Sequence, residues 1–471
     1  KLGVRPALKL NLESVIFSSE SNTFMVVKAD GTHTHDGITF TEWTSTNSLP
    51  TTAGNYYLAN DVTISSTWIV PSGTTNLCLN GHGIIMTGSG SVININTGAT
   101  LNLFDCNGAT IHKYKVDNGV EQIPALAEVN DAWTGTAGTD YLTFAGGYIT
   151  GGVASRGGGV YVNGGIFNMN GGTIIGNKAT TTSNGQGGGA IYIGENSTFT
   201  MGKGTLSNNT AANAGGCIEA DGSGITMTIS GGKIEYNNAE TNNGGAIMAN
   251  NANGINFTIT GGVIAYNKSN YWGNGINADN RTINISGNPV IMNNINKSKG
   301  SNANAYDNNL HFSYTMIKII GPLTAGAQIG VDMVSDFTSD YSKYNNGIDP
   351  SNYFFSDKKG YAVKWNSANT EASMINGNIV TFDSNGGTGE MLNQFINTSG
   401  NTLIDNSFTR EGYIFDGWNT VADGSGAGYA DKANITYDAN AIGSRILYAQ
   451  WKLTPATSPT IDSISSLTGD N

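Results

Sequence analysis

The stretch from Gly157 to Asn293 repeats itself, and that repeat limits the possible folds more than any other feature of the chain. Five copies follow one another: GGGVYVNGGIFNMNGGTIIGN, GGAIYIGENSTFTMGKGTLSNN, GGCIEADGSGITMTISGGKIEYN, GGAIMANNANGINFTITGGVIAYN and WGNGINADNRTINISGNPVIMN. Each opens on a glycine-led apolar segment and closes on asparagine. The closing residues align as Asn177, Asn209, Asn237, Asn267 and Asn293, at spacings of 32, 28, 30 and 26 residues. A period of this size belongs to solenoids.

Within each copy the apolar residues alternate with period two, so the segments read as short strands with one inward face. The first strand contributes an inward column of Val160, Ile191, Ile218, Ile247 and Ile276, and a second of Val162, Ile193, Ala220, Ala249 and Ala278. The second strand contributes Phe167, Phe199, Met227, Phe257 and Ile283, then Met169, Met201, Ile229, Ile259 and Ile285. The third supplies Ile174, Leu206, Ile234, Ile264 and Val290. Three strands per copy in a constant order, with glycine and asparagine corners, describe one coil of a right-handed parallel β-helix. Stacked coils lie about 4.8 Å apart, so like residues sit over like. The closing asparagines then form a ladder of amides, each bonded to its neighbours above and below. A β-sandwich would not hold three strands and their corners in register over five copies. A propeller blade needs roughly 40–45 residues and four strands. The density of glycine and β-branched residues excludes helical repeats.

A solenoid also accommodates 471 residues, which one compact core would not. Charged residues make up only 12% of the chain, so its loops are polar through Asn, Ser and Thr, as suits a secreted β-rich protein. A net charge of −12 argues against nucleic acid or anionic membranes as partners. No apolar run is long enough to span a bilayer. Three cysteines do not make a disulfide scaffold. Cys78 and Cys106 are 28 residues apart, about one coil, so they can face each other on adjacent rungs; small buried thiols are the expectation. Cys217 replaces Ala190 and Ala246 in its column and reads as packing.

Taken in order, KLGVRPALKLNLESVIF resembles the closing strands of C-type-lectin-like modules related to formylglycine-generating-enzyme domains, found in surface proteins of gut Gram-positive bacteria. Residues 1–40 are therefore expected to be the tail of a preceding module and a linker. His33, His35 and Asp36 are three adjacent potential ligands, but on a solvated linker no metal is expected, and no cofactor is expected elsewhere. The β-helix is expected over 41–335, opened by a cap of irregular strands. NLCLNGHGI resembles the LDLNGHTI signature of pectate-lyase-like and periplasmic copper-protein-like β-helices, where the Asn-Gly makes a corner. Gly81-His82-Gly83 is similar to a polygalacturonase motif, yet that family's Asn-Thr-Asp, Asp-Asp and Arg-Ile-Lys are missing, so His82 is expected at a corner. Residues 115–140 read as a polar excursion and 336–375 as an aromatic C-terminal cap.

Residues 376–453 change texture. Phe382, Asn385-Gly386-Gly387, Gly412-Tyr413, Phe415, Gly417-Trp418 and Leu447-Tyr448-Ala449-Gln450-Trp451 resemble the Listeria–Bacteroides repeat, also called the internalin B-repeat. The resemblance implies a small β-grasp-like domain on a bacterial surface protein, with Trp418 and Trp451 in its core. Residues 454–471 read as a linker to a further module, which makes the chain a monomeric segment of a larger one.

Two function classes follow: an extracellular adhesin-like protein that binds host or microbial glycans or serves as a rigid stalk, and a polysaccharide lyase or glycoside hydrolase with its site on the helix face. Carboxylates are sparse in the coils and no Lys/Arg strip is present to neutralise a uronate, so the expectation leans against an enzyme, and no catalytic residue is assigned. On the outward side of the first strand, Tyr161, Tyr192, Glu219, Asp221, Asn250 and Asp279 would juxtapose rings with carboxylates and amides. Such a strip can stack on a sugar and bond its hydroxyls, and these six are the candidate ligand-binding residues.

Overall fold

The computed structural model describes residues 15–18, 23–26, 33–35, 37–115, 141–183, 185–249, 254–278, 281–300, 308–312, 315–333, 335–442 and 444–454. Two compact units divide the chain, one comprising Lys1–Lys358 with Val363–Ile375 and the other Lys359–Ala362 with Asn376–Asn471.

The first unit is a parallel β-helix. On its first face Trp68–Ile69, Ile93–Asn96, Val160–Asn163, Ile191–Ile193, Ile218–Ala220, Ile247–Ala249, Ile276–Asn277 and Leu310–His311 stack in that order, all parallel. Val160, Ile191, Ile218, Ile247 and Ile276 lie in register with no exposed surface. The second face stacks Phe167, Phe199, Met227, Phe257 and Ile283 in the same way.

Two expected positions shift by one residue. On the third face Ile264 stands over Ile291, and Val290 pairs with Val263 instead. The ladder residue of the fifth copy is Asn294, because Asn293 occupies the turn position before it, with φ 58°. The same turn position holds Gly176, Asn208, Tyr236 and Tyr266, all with positive φ. After the ladder asparagine comes a fourth, two-residue strand that the periodicity does not reveal. Val153–Ala154, Lys178–Ala179, Thr210–Ala211, Asn238–Ala239, Lys268–Ser269 and Ile295–Asn296 build a separate narrow sheet.

The amide ladder is continuous. Nδ2 of Asn177 donates to Oδ1 of Asn209 at 3.1 Å, and the pattern runs through Asn237, Asn267 and Asn294 to Asn309 at 2.9–3.1 Å. Each Oδ1 also accepts the backbone N–H of the preceding ladder residue, as in Asn209 N to Asn237 at 3.0 Å. Asp357 ends the ladder, its two oxygens accepting from N and Nδ2 of Asn309, both at 2.7 Å. A second ladder, which the repeat alignment misses because it begins before the first copy, links Asn55, Asn76, Asn102 and Asn168 at 2.6–2.8 Å.

The stack is closed at both ends. At the N-terminal end His33–His35 pairs antiparallel with Ile38–Trp43, which pairs parallel with Gly54–Leu58. Residues expected in a linker up to position 40 are thus part of the cap: Phe40 is buried. At the other end the stack continues past residue 335 to Phe354–Ser356, which pairs with Gln328–Val331. Phe337, Tyr341 and Phe354 are buried there in edge-on contact, and Glu371 accepts from Thr338 Oγ1 and from the backbone of Asp340 and Tyr341. Val15–Ser18 and Thr23–Val26 form an antiparallel pair. The remainder of 1–32, the excursion between 116 and 140, and the segment from 455 onward lie outside the described residues.

The second unit is a five-stranded mixed sheet in the order Gln394–Ile396, Asn378–Asp383, Ser444–Leu453, Tyr413–Asn419, Gly428–Tyr429. Asn378–Asp383 and Ser444–Leu453 run parallel at its centre, with antiparallel neighbours outside, a β-grasp-like arrangement. Trp418 is fully buried against Phe382, Phe408 and Phe415. Trp451 is half-buried, packs on Phe415 and donates Nε1–H to the carbonyl of Ser384 at 2.9 Å.

Candidate functional site

Two places in the β-helix gather side chains that the packing of the coils does not require: the outward side of the first face and the N-terminal cap.

The outward side of the first face is largely roofed. The loops that follow the narrow sheet fold back across it, so Glu219 has no exposed surface and Tyr192 retains 3%. Gly187 lies directly against Glu219 and the carbonyl of Ala214, where no Cβ would fit. Tyr192 donates its hydroxyl to Asp221 Oδ2 at 3.4 Å and accepts from Arg156 Nη1 at 3.3 Å, and the guanidinium sits 5.0 Å above its ring. Burial, and then the Asp221 charge, raises the phenol above its ordinary range. Asp221 is itself raised by burial, against the pull of Tyr192 and Arg156. Tyr192 and Glu219 therefore do not form the open strip expected of them. Asn250 and Asp279 lie outside the described residues.

What remains open lies one rung earlier. Tyr161 is half-buried, edge-on to Tyr192 at 5.3 Å, and lines a cleft of about 600 Å³. Arg156, Asn94, Ser91 and Thr180 line it too. Asn94 Oδ1 is buried there and accepts no hydrogen bond among the described residues. Sequence reasoning missed Asn94 and Arg156. Asn94 stands directly under Tyr161 in the register, but the coil that carries it precedes the recognisable repeats.

At the N-terminal cap the alternation of His33-Thr34-His35 turns both imidazoles to one side of the hairpin. Cys78 ends the strand Gly73–Cys78, and Cys106 follows the strand above it, Ala99–Phe104. The hairpin brings these halves together. His33 Nε2 lies 2.6 Å from His35 Nε2, 3.3 Å from Cys78 Sγ and 3.2 Å from Cys106 Sγ, and the sulfurs are 3.3 Å apart. All four atoms fall within 4.8 Å of one another. His33 stacks on Tyr57 and His35 on Phe104, while Phe40 meets both imidazoles edge-on. The hydrogen bond from Cys78 pulls the Cys106 thiol down to about 4 despite its burial, with His33 and His35 acting in the same direction. Burial pushes Cys78 up. The adjacent-rung position of the cysteines was legible from their spacing. The placement of the histidines was not, because nothing in HTH announces a hairpin that folds onto another coil.

His82 closes the turn from Leu79, donating its backbone N–H to that carbonyl at 2.9 Å, with Asn80 and Gly81 both at positive φ. Its Nδ1 lies 3.4 Å from Asp61. It is a corner residue. Cys217 is buried and apart from the other two cysteines.

Compared with known proteins, residues 379–450 match the Listeria-Bacteroides repeat domain. Domains of this kind are typical of extracellular or surface-associated bacterial proteins. No curated protein and no solved structure matches the chain significantly. Among the described residues no helix is long and apolar enough to cross a membrane.

Proposed function

We propose that this chain is a non-catalytic, adhesin-like segment of a bacterial surface protein, whose β-helix is a rigid stalk that binds glycans in the cleft beside Tyr161. The observation that carries this reading is the combination in one cleft of a half-buried tyrosine, the Arg156 guanidinium and the unpartnered Asn94 Oδ1. A tyrosine ring offers a stacking face for a pyranose, and the amide and guanidinium supply directional bonds to its hydroxyls. The candidate strip contracts accordingly: Tyr161 is the platform, Tyr192 packs against it from the next rung, and Asp221 and Glu219 lie beyond Tyr192. The match at 379–450 supports display outside the cell. The enzyme alternative that uses the Glu219 carboxyl is disfavoured, because that carboxyl is roofed.

A shallow site of this kind binds weakly, on the order of 0.1–1 mM, and gains strength through multivalent display. The test is a glycan array with the full chain, followed by calorimetry on each hit. Tyr161→Ala should weaken binding by about 1 kcal/mol, roughly fivefold. Arg156→Ala should weaken it as well, while Glu195→Ala, on an exposed turn, should not. An array without a hit, or a hit indifferent to Tyr161 and Arg156, would leave the stalk and remove the glycan site.

A further inference from the structure

We propose that His33, His35, Cys78 and Cys106 form a closed zinc site that staples the N-terminal hairpin onto the first coils of the β-helix.

The argument begins with what converges. Four donor atoms, two sulfurs and two imidazole nitrogens, point at one another within 4.8 Å. Imidazole and thiol groups packed for shape alone would turn their polar atoms toward backbone partners, whereas here one nitrogen, His33 Nε2, faces three other lone-pair atoms at 2.6–3.3 Å. Its single proton can satisfy only one of them. A cation at the common centre satisfies all four at once.

The dimensions fit zinc. With Zn–S near 2.3 Å and Zn–N near 2.0–2.1 Å, tetrahedral ligand atoms lie roughly 3.3–3.8 Å apart. The observed separations of 3.2–3.3 Å among the sulfurs and His33 are shorter than these edges by up to about half an ångström, so the cluster would open slightly around the ion. The two imidazoles, at 2.6 Å, would part by about the difference. Two thiolates with two imidazoles in tetrahedral array are a donor set for zinc rather than for calcium or magnesium, which take oxygen. All four positions are filled by protein, which is the mark of a structural and not a catalytic zinc.

The surroundings agree with this assignment. Cys78 has no exposed surface and Cys106 has 9%. Tyr57, Phe40 and Phe104 enclose the cluster and hold both imidazole planes.

A staple has a purpose at this place. His33–His35 is three residues long and, among the described residues, pairs only with Ile38–Trp43, the terminal strand of the stack. Such a hairpin has little apolar surface of its own, yet it closes the edge from which the whole solenoid could fray or pair with another chain. Zinc bound to the hairpin and to two successive coils ties three layers together, and its binding free energy adds to the stability of the folded cap.

The test uses the full chain, purified under reduction and stripped of metal. About one zinc per chain should bind on reconstitution. Cobalt should give the intense visible absorption of a tetrahedral site together with a thiolate-to-cobalt charge-transfer band. Cys78→Ser and His35→Ala should each lower zinc affinity by more than about a hundredfold, beyond the loss of an outer-shell partner. Cys217→Ser should leave it unchanged. His35 is half-buried, not part of the closed core, and circular dichroism can verify that His35→Ala stays folded. Hydrogen exchange of residues 38–43 should slow when zinc is added to the wild-type chain and not to His35→Ala. A reduced chain that takes up no zinc and gives only the pale octahedral cobalt spectrum overturns the proposal. So does a chain isolated with Cys78 and Cys106 joined in a disulfide. Neither result depends on glycan binding, which is read at Tyr161 in a different part of the helix.

Discussion

At the scale of single residues, each turn into the narrow sheet makes two demands on adjacent positions. The first residue must adopt the left-handed conformation, and the second must present an amide to the rungs on either side. Gly176 and Asn208 meet the first demand at low cost. Tyr236 and Tyr266 do not, and they sit there at φ 58° with their rings stacked 5.2 Å apart, a contact that offsets part of the strain. The second demand admits only asparagine, because the same side chain must donate and accept. The two hydrogens of Asn237 Nδ2 are shared among Leu206 O, Glu235 O and Asn267 Oδ1, while its Oδ1 accepts from both N and Nδ2 of Asn209. Asn237→Ala removes these bonds and leaves the buried backbone N–H of Asn209 without its partner. The expected loss is about 3 kcal/mol or more, since each orphaned buried group costs about 1–3 kcal/mol. Urea denaturation of the full chain would check it, and a loss within about 0.5 kcal/mol, the range of a surface substitution, would show that the ladder is incidental. The ladder was legible from sequence because asparagine recurs. Its fifth position was not, because Asn293 and Asn294 are adjacent and only the backbone distinguishes the turn residue from the ladder residue.

At the scale of elements, the inward columns were legible because alternation marks them, and they match the register on all three faces apart from the one-residue slip at Ile291. The outward side could not be resolved in the same way. Periodicity says which side of a strand faces away from the core, not whether a loop lies over it, and Tyr192 and Glu219 are buried under such loops. Both caps were expected, but the contacts that join them to the coils were not legible for a related reason: their residues act on coils distant in sequence, as His33 acts on Cys78 and Asp357 on Asn309. Asp357 shows why the end of a ladder differs from its middle. The ladder runs from donor to acceptor, so its last member must only accept, and a carboxylate does so with both oxygens. Asp357→Asn would set an amide N–H against one of the two donors of Asn309. A loss of about 1–3 kcal/mol is expected, the cost of one buried unmet pair. Unchanged thermal stability of that variant would contradict this account of the terminus.

At the scale of the whole molecule, the chain joins two units that are stabilised in different ways. The β-helix draws its stability from nearest-neighbour stacking, so it accumulates coil by coil and its two ends need caps. The second unit has a closed core of its own: Val380, Phe382, Ile396, Leu403, Phe408, Trp418, Ile435, Leu447 and Ala449, all between residues 380 and 449. None of these core residues comes from the helix, and the family match covers the same span. Its spaced Gly-Trp and Leu-Tyr-Ala-Gln-Trp signatures made this unit legible before its strands were known. Residues 376–454 expressed alone should therefore fold, although a core of this size leaves a small margin of about 3–5 kcal/mol. Trp418 is its largest fully buried side chain, and removing it would cost about 3–5 kcal/mol, the whole of that margin. The fragment should show one cooperative thermal transition and blue-shifted tryptophan emission from Trp418. Trp418→Ala should abolish the transition, whereas Leu392→Ala, on a side chain 78% exposed, should leave the midpoint within a few degrees, about the effect of a surface change. A wild-type fragment that melts without cooperativity, with its emission already that of exposed indole, would mean that this core needs the rest of the chain to form.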